Sequence, residues 1–469
     1  MSIIRIEHKG VLVHECGQEG ERRSDGIIPA HPNGLPVSEN RWLLVYATRS
    51  FRGNDDDCSI IYQLREDRPD GKLICEGVLA KAIDDWRVEG LRPEVRYKKL
   101  NRQPTAFGVP KGAVIDGREA PNANVFAVCW FRAAREFYPD RNYVEGGDTA
   151  MDPKMLAATL RAEWVQIRLN DAGDGIEIIR PTEELRQAGF ENGSDICDVK
   201  GVRHVLGSMQ SPIPYGQDCT EWVEMAGFAG GRSAARKFRF SPSAGCYEWT
   251  ESGPFIMDDK GPFGGGHLVR IQDGWAFVRT FMRIDGHVWS GRGLGWIRLE
   301  DPFARSSGEI TSSEMVRPAE PATRAPATFY VCGDGVLRCF CGAAPSSPYG
   351  LERNPLFCWD IDPDDGFRAS NRRVIFDTFQ AGLPIRRNAR PMLDMPKLLP
   401  NQGPAQYLVH RVIATSMFHE HVHTRPEFWI FPPLNRAELE CFGIYYAKIE
   451  YDKVAPRPWS FPKPAAQTT

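Results

Sequence analysis

Two kinds of strand-like segment alternate along this chain of 469 residues, and their alternation limits the possible folds more than any other feature. The first kind is a strongly apolar hairpin, found at residues 27–48, 113–132, 202–228, 267–283, 329–342 and 392–413. The second kind is more amphipathic and follows each hairpin, at residues 60–79, 164–180, 235–250, 296–310, 356–377 and 444–451. The pattern is a repeat of about seventy residues, which indicates a repeat-built architecture.

An apolar pair of strands followed by an amphipathic pair suits a ring of radial sheets, because inner strands are covered on both faces and outer strands meet solvent. The sequence therefore predicts an all-β fold: a six-bladed β-propeller of four-stranded antiparallel blades, forming one domain over residues 1–469. Separate β-sandwich domains are the alternative, although no linker clearly divides the chain. One helix is expected at residues 153–164, where apolar side chains recur at helical spacing.

The two ends of the chain are predicted to pair. The sixth amphipathic segment offers a single good strand at residues 444–451, whereas residues 3–14 have strand character and no partner nearby in sequence. Pairing the N-terminal strand with the C-terminal strand closes the ring and covers both sheet edges.

Charge and composition argue against several classes of protein. A net charge of −3 provides no overall basic surface for nucleic acid. The chain has no run of about eighteen apolar residues, so no membrane span is expected. Charged residues interrupt the first apolar stretch, unlike a secretory signal, so we expect a cytoplasmic location; the interrupting residues are Arg5, Glu7 and Lys9.

Three segments resemble the sialidase superfamily, in particular its BNR-repeat neuraminidase-like propellers. Residues 25–31 (DGIIPAH) and 40–49 (NRWLLVYATR) are similar to the first blade of that family. Residues 268–279 (LVRIQDGWAFVR) resemble an apolar strand, an Asp-Gly turn and an arginine-bearing return strand. Residues 353–367 (RNPLFCWDIDPDDGF) are similar to a degenerate Asp-box hairpin. The resemblance implies a six-bladed propeller with a sugar-binding pocket on its axis.

The chain departs from the sialidase pattern at two catalytic positions. Residues 26–29 read Gly-Ile-Ile-Pro where the family has an Arg-Ile-Pro element, and residues 264–266 are three glycines where a glutamate is expected. The resemblance therefore implies the scaffold and an acidic-sugar pocket rather than the sialidase reaction itself.

Histidines near the starts of the inner strands are the first candidates for chemistry. His31, His204 and His267 occupy comparable positions in the first, third and fourth blades. A histidine of near-neutral pKa can abstract a proton beside a sugar carboxylate while a tyrosine protonates the leaving oxygen. Tyr215 lies in a Pro-rich loop suited to that second role. These residues support β-elimination on a uronate as one hypothesis.

Carboxylates support glycoside hydrolysis, which needs an acid and a base or nucleophile. Asp56, in a run of three aspartates, follows the first inner pair, where the resemblance places a general acid. Glu221 and Glu224 flank a tryptophan on an apolar strand, and Asp394 is a similar anomaly in blade six. A carboxylate on an apolar strand must be paired or functional.

Arginines at strand ends are suited to binding a substrate carboxylate through two parallel hydrogen bonds. The expected substrate-binding residues are Arg49, Arg132, Arg279, Arg283, Arg387 and Asp394. A metal is left open at His419, His421 and His423, which share one face only if they form a strand. No cofactor is predicted.

The leading expectation is a glycoside hydrolase that cleaves an acidic or decorated saccharide in the axial pocket. A uronate lyase and a non-catalytic propeller that binds a glycan or a protein are the alternatives, because function depends on the site and not on the scaffold. The sequence does not determine the oligomeric state.

Overall fold

The computed structural model describes most of the repeat-bearing chain. The described residues are 3–13, 27–50, 58–87, 93, 97–138, 143–145, 161–186, 198–199, 202–203, 210–228, 232–257, 266–285, 288–304, 310–311, 314–321, 327–342, 346–351, 353–401, 403–414 and 435–462.

Six antiparallel blades follow one another along the chain as a β-propeller, with each blade's first strand at the axis. Blade 1 contains Ile27–Ser38, Arg41–Ser50, Ile60–Glu66 and Leu73–Ala80. Blade 2 contains Tyr97–Val109, Val125–Tyr138, Arg161–Leu169 and Ile176–Glu184, with Tyr143–Glu145 paired to its second strand. Blade 3 contains Ile213–Pro214, Glu221–Phe228, Arg232–Ser241 and Cys246–Ser252, with Ile256–Met257 beside its third strand.

The second half of the ring repeats this arrangement. Blade 4 contains Gly266–Ile271, Gly274–Asp285 and Val288–Leu299, and Val316 bridges to Trp296 at its outer edge. Blade 5 contains Thr328–Val331, Leu337–Gly342, Leu356–Asp362 and Arg368–Phe376. Blade 6 contains Pro391–Leu398, Ala405–Ala414, Gly443–Tyr451 and Ile3–Val13.

Short elements lie in the connections between the strands, both within and between blades. They are the pairs Val114–Ile115 with Arg118–Glu119 and Asp198–Val199 with Val202–Arg203, the 3-10 turn Arg387–Ala389 and the α-helix Arg436–Glu440. In the described part of the chain, no helix is long and apolar enough to cross a membrane.

Closure of the ring by the two chain ends is confirmed. Ile3–Val13 pairs antiparallel with Gly443–Tyr451, with Ile6 opposite Ile449 and Glu7 opposite Lys448. The N-terminal strand is thus the outer strand of blade 6, and it covers an edge that would otherwise present unpaired backbone groups.

Deleting residues 1–13 is expected to lower the thermal unfolding midpoint and to promote aggregation, because it uncovers the edge of Gly443–Tyr451. Differential scanning calorimetry and size-exclusion chromatography would measure both effects. A truncated chain with the full-length midpoint and elution volume would contradict closure by this strand.

Four local predictions from the sequence were wrong. Arg161–Leu169 is a strand, so the helix predicted at residues 153–164 is wrong over residues 161–164. Residues 151–160 lie outside the described part. Blade 2 begins with Tyr97–Val109 rather than near Ala113, because a strand that carries Lys98, Lys99 and Arg102 lacks an apolar run. The inner strand of blade 3 is Ile213–Pro214 rather than a strand at Val202. One long strand, Val288–Leu299, replaces the outer pair expected at residues 296–310.

Neighbouring blades are joined by contacts between large aromatic side chains. Phe107 of blade 2 lies 5.1 Å from Phe238 and 5.0 Å from Tyr247 of blade 3, measured between ring centroids. Trp296 of blade 4 stacks on Phe367 of blade 5 at 4.7 Å. Such pairs add about 1 kcal/mol each beyond the area they bury, and they fix the blades in place around the axis.

Candidate active site

The inner strands of blades 1, 2 and 6 share one irregularity. In each, the pairing register with the second strand shifts, at residues 30–33, 102–105 and 394–397. A residue with positive φ starts each bulge, namely His31, Gln103 and Met395, at 51°, 51° and 52°. Each of these residues is followed by proline. A bulge re-aims the side chains around it, and proline removes an N–H that would have no partner on an axial edge.

The residue after each proline is polar and buried. Asn33, Thr105 and Lys397 are 2%, 2% and 5% exposed. The amide of Asn33 donates a 2.7 Å hydrogen bond to the hydroxyl of Ser211, just before the inner strand of blade 3. Because blade 2 separates blades 1 and 3, this bond places the side chain of Asn33 in the axial space.

Lys397 is the most unusual of the three. Its Nζ has no hydrogen-bond acceptor among the described residues. Burial lowers the pKa of Lys397 to about 7, while the carboxylate of Glu224 acts in the opposite direction. Glu224 is on blade 3 and Lys397 on blade 6, which face each other in a ring of six. Their electrostatic interaction therefore crosses the axis.

His267 lies near the start of the inner strand of blade 4. Its ring packs edge-on against Phe329 and Tyr330 of blade 5, at centroid distances of 5.5 and 6.4 Å. Burial lowers the pKa of His267 to about 3, and the nearby charge of Lys397 contributes to the shift. His267 is therefore neutral at physiological pH. Burial also raises the pKa of Tyr330, whose side chain lies near the backbone of Leu398.

Glu224, the described carboxylate that affects the pKa of Lys397, forms an ion pair with an arginine. Glu224 and Arg236 are cross-strand partners in blade 3, with side chains 0% and 1% exposed, and Arg236 donates to the carboxylate. The guanidinium also lies over the rings of Phe238 and Trp249, at 5.7 and 5.2 Å. Glu224, flagged from the sequence as paired or functional, is paired.

The structure gives the positions of several other residues that the sequence predicted to form the site. His31 is buried at the first bulge, and Arg279 is 1% exposed on the second strand of blade 4. Arg132 donates to Glu163 at 2.8 Å and to Glu184 at 3.5 Å, so existing carboxylates already engage it. Arg387 is exposed in the 3-10 turn and donates to the backbone carbonyl of Tyr349 at 2.7 Å.

Glu221 and Tyr215 line a different pocket, of about 640 Å³, at the hairpin end of blades 3 and 4. Arg239 donates to Glu221 at 2.7 Å. The hydroxyl of Tyr215 donates to Asp301 at 2.9 Å, and its ring stacks on Trp275. Burial, together with Asp301, raises the pKa of Tyr215 to about 12.

This hairpin-end pocket is separate from the axial group. Glu221 lies three residues from Glu224, about 10 Å along the same strand, and points to the opposite face of the sheet. The structure therefore does not bring Glu221 and Tyr215 together with His267.

For the remaining predicted site residues, either the whole residue or its side chain lies outside the described part of the structure. Asp56 and His204 are outside the described residues, as are His419, His421 and His423. The backbones of Arg49, Arg283 and Asp394 lie in strands, but their side chains are not described. Within the described part, no group of three or more His, Cys, Asp or Glu side chains is placed to hold a metal.

Sequence reasoning missed Lys397, although a signal was present. His31-Pro32-Asn33, Gln103-Pro104-Thr105 and Met395-Pro396-Lys397 repeat one pattern in three inner strands. Aligning the blades on this pattern would have placed Lys397 beside the axis.

No protein-family model and no curated protein matches this chain. Among solved structures, a protein of unknown function from Dyadobacter fermentans DSM 18053 has a TM-score of 0.52 at 9% identity, over 96% of this chain and 100% of that one. A complex of NanB with Optactamide has a TM-score of 0.48 at 10% identity, over 94% and 71% of the two chains. The α-L-arabinanase of Penicillium chrysogenum with arabinobiose has a TM-score of 0.45 at 11% identity, over 96% and 100%. At these identities, the similarity to the Dyadobacter protein shows a shared fold alone.

Proposed function

We propose that this chain is a carbohydrate-active enzyme that hydrolyses a glycosidic bond of an acidic saccharide at the propeller axis. The observation that carries the proposal is the axial group of Lys397, His267 and Tyr330, which converges from three consecutive blades. A buried lysine with no acceptor among the described residues suits a ligand that brings its own negative charge.

Hydrolysis is favoured over β-elimination by the electrostatics of His267. A general base works best with a pKa close to the working pH. Burial holds the pKa of His267 near 3, so it is a weak proton acceptor. We assign His267 to substrate binding, while Asp56 and Asp394 remain the candidate carboxylates for acid and base chemistry.

The proposal predicts that the protein releases reducing ends from acidic oligosaccharides without forming an ultraviolet-absorbing unsaturated uronate. A panel of sialosides and uronate-bearing oligosaccharides, followed by both readouts, would test this. Ultraviolet absorbance would overturn hydrolysis in favour of elimination. Silence in both readouts would overturn the proposal in favour of a binding role.

A matched pair of variants tests the location of the site. Lys397→Met is expected to lower kcat/KM for the acidic substrate about 10- to 100-fold, the size expected for a lost charged hydrogen bond. Glu221→Gln is expected to retain activity, because Glu221 lines the hairpin-end pocket. Loss of turnover in a folded Glu221→Gln variant would instead locate the reaction in that pocket.

A further inference from the structure

Lys397 is a buried lysine whose charge the described part of the fold leaves without a hydrogen-bonded partner. Lys397 is 5% exposed, and its Nζ has no hydrogen-bond acceptor among the described residues. Glu224 lies across the axis, but its carboxylate already receives a hydrogen bond from Arg236. A buried charge without a hydrogen-bonded partner is costly, so an acceptor supplied by a ligand would remove an unfavourable energy.

Side chains of three other blades lie near Lys397. Blade 4 contributes His267, and blade 5 contributes Tyr330 beside the backbone of Leu398. Blade 3 contributes Glu224, which is neutralised by Arg236. Among these described groups, Glu224 and Arg236 offset each other, so the ammonium of Lys397 adds one positive charge whenever the lysine is protonated.

The bulge at residues 394–397 supplies the geometry. Met395 has a φ of 52°, and Pro396 follows it, so the next side chain is re-aimed relative to a regular strand. The equivalent side chain of blade 1, Asn33, reaches a hydrogen-bond partner on the far side of blade 2. By the same geometry, Lys397 extends toward the axis.

We propose that Lys397, with His267 beside it, forms an axial binding site for a single carboxylate or sulfate group, and that binding of this anion is coupled to proton uptake by Lys397. No covalent bond forms or breaks: the proton comes from solvent, and the anion is held by the ammonium that results. The assignment of the anion to a saccharide carboxylate rests on the proposed function. The anion site itself can be tested by binding, without turnover.

The coupling follows from the electrostatics of the free site. Because burial lowers the pKa of Lys397 to about 7, most of the free protein carries a neutral amine at pH 8. A bound anion favours the ammonium, so the lysine takes up a proton when the ligand binds. Uptake should approach one proton per bound anion at pH 8 and should decline as the pH falls below 7.

Isothermal titration calorimetry of the full chain at pH 8, in triethanolamine and in Tris, tests this inference. The probes are sodium sulfate and sodium glucuronate, and the difference in heat between the two buffers gives the number of protons taken up. We expect uptake with the wild-type protein. In Lys397→Met we expect no uptake and an affinity at least about 10-fold weaker.

Lys237→Met is the matched control, because Lys237 is also buried but is bonded to Glu251 at 2.7 Å. It should bind both probes as the wild type does. Tighter binding of glucuronate than of sulfate supports a saccharide carboxylate as the ligand, and equal binding supports a site for a free inorganic anion.

Absence of binding in the wild type, or unchanged binding and uptake in Lys397→Met, would overturn the inference. Lys397-dependent uptake in a protein that cleaves no saccharide would refute the proposed function and leave the anion site standing. Cleavage of a saccharide without Lys397-dependent proton uptake would refute the anion site and leave the proposed function standing.

Discussion

Replacing Glu224 with alanine is expected to lower the free energy of unfolding by about 3–5 kcal/mol, the usual cost of leaving a buried charge without its partner. Glu224 and Arg236 are 0% and 1% exposed, so Arg236 would lose its carboxylate where water does not replace it. Chemical denaturation at pH 7 would measure the change.

The same two strands offer a matched control for this prediction. Glu221 and Arg239 also pair across these strands, but their side chains are 21% and 58% exposed. Glu221→Ala should cost less than about 1 kcal/mol. Replacing the buried pair together, as Glu224→Leu with Arg236→Met, should recover most of the loss. Equal losses in Glu224→Ala and Glu221→Ala would contradict the buried ion pair.

Replacing Lys397 with methionine is expected to stabilise the protein at pH 7 by roughly 2–4 kcal/mol, because the variant buries no ammonium. The folded-state pKa of Lys397 is about 7, below its ordinary value of 10.5. Between these values the unfolded chain binds more protons than the folded chain, so wild-type stability rises with pH across this window. The advantage of Lys397→Met is therefore greatest at or below pH 7 and vanishes near pH 10.5.

Denaturation of both proteins at several pH values, from 6 to 10, would test this dependence. Lys237→Met is again the control, and it should destabilise the protein slightly because it breaks an ion pair with Glu251. Parallel stability curves for the wild type and Lys397→Met would show that the lysine keeps an ordinary pKa.

The ring could be predicted from the sequence because the blades repeat. Inner strands such as Arg41–Ser50 are apolar on both faces, and outer strands such as Arg368–Phe376 carry exposed polar side chains, so the period is visible without a structure. The prediction failed where a strand departs from its type. Tyr97–Val109 is an inner strand that carries cations, and Trp164 is buried on a strand whose apolar residues lack a period of two.

The axial group was only partly accessible from sequence. His267 was found because it begins an apolar strand. Lys397 was missed because lysine is ordinarily exposed, and only the bulge reveals that it is buried. The pairing of Glu224 with Arg236 depends on strand register, which twelve residues of separation along the chain do not reveal.

The most direct test of the proposed function compares one acidic oligosaccharide with the same compound after reduction of its carboxylates to alcohols. Reduction leaves the glycosidic bonds intact and removes the charge that Lys397 would bind. We predict that wild-type kcat/KM falls about 10- to 100-fold on reduction and that Lys397→Met no longer distinguishes the two compounds. Equal cleavage of both compounds by the wild type would contradict recognition of an acidic saccharide at the axis.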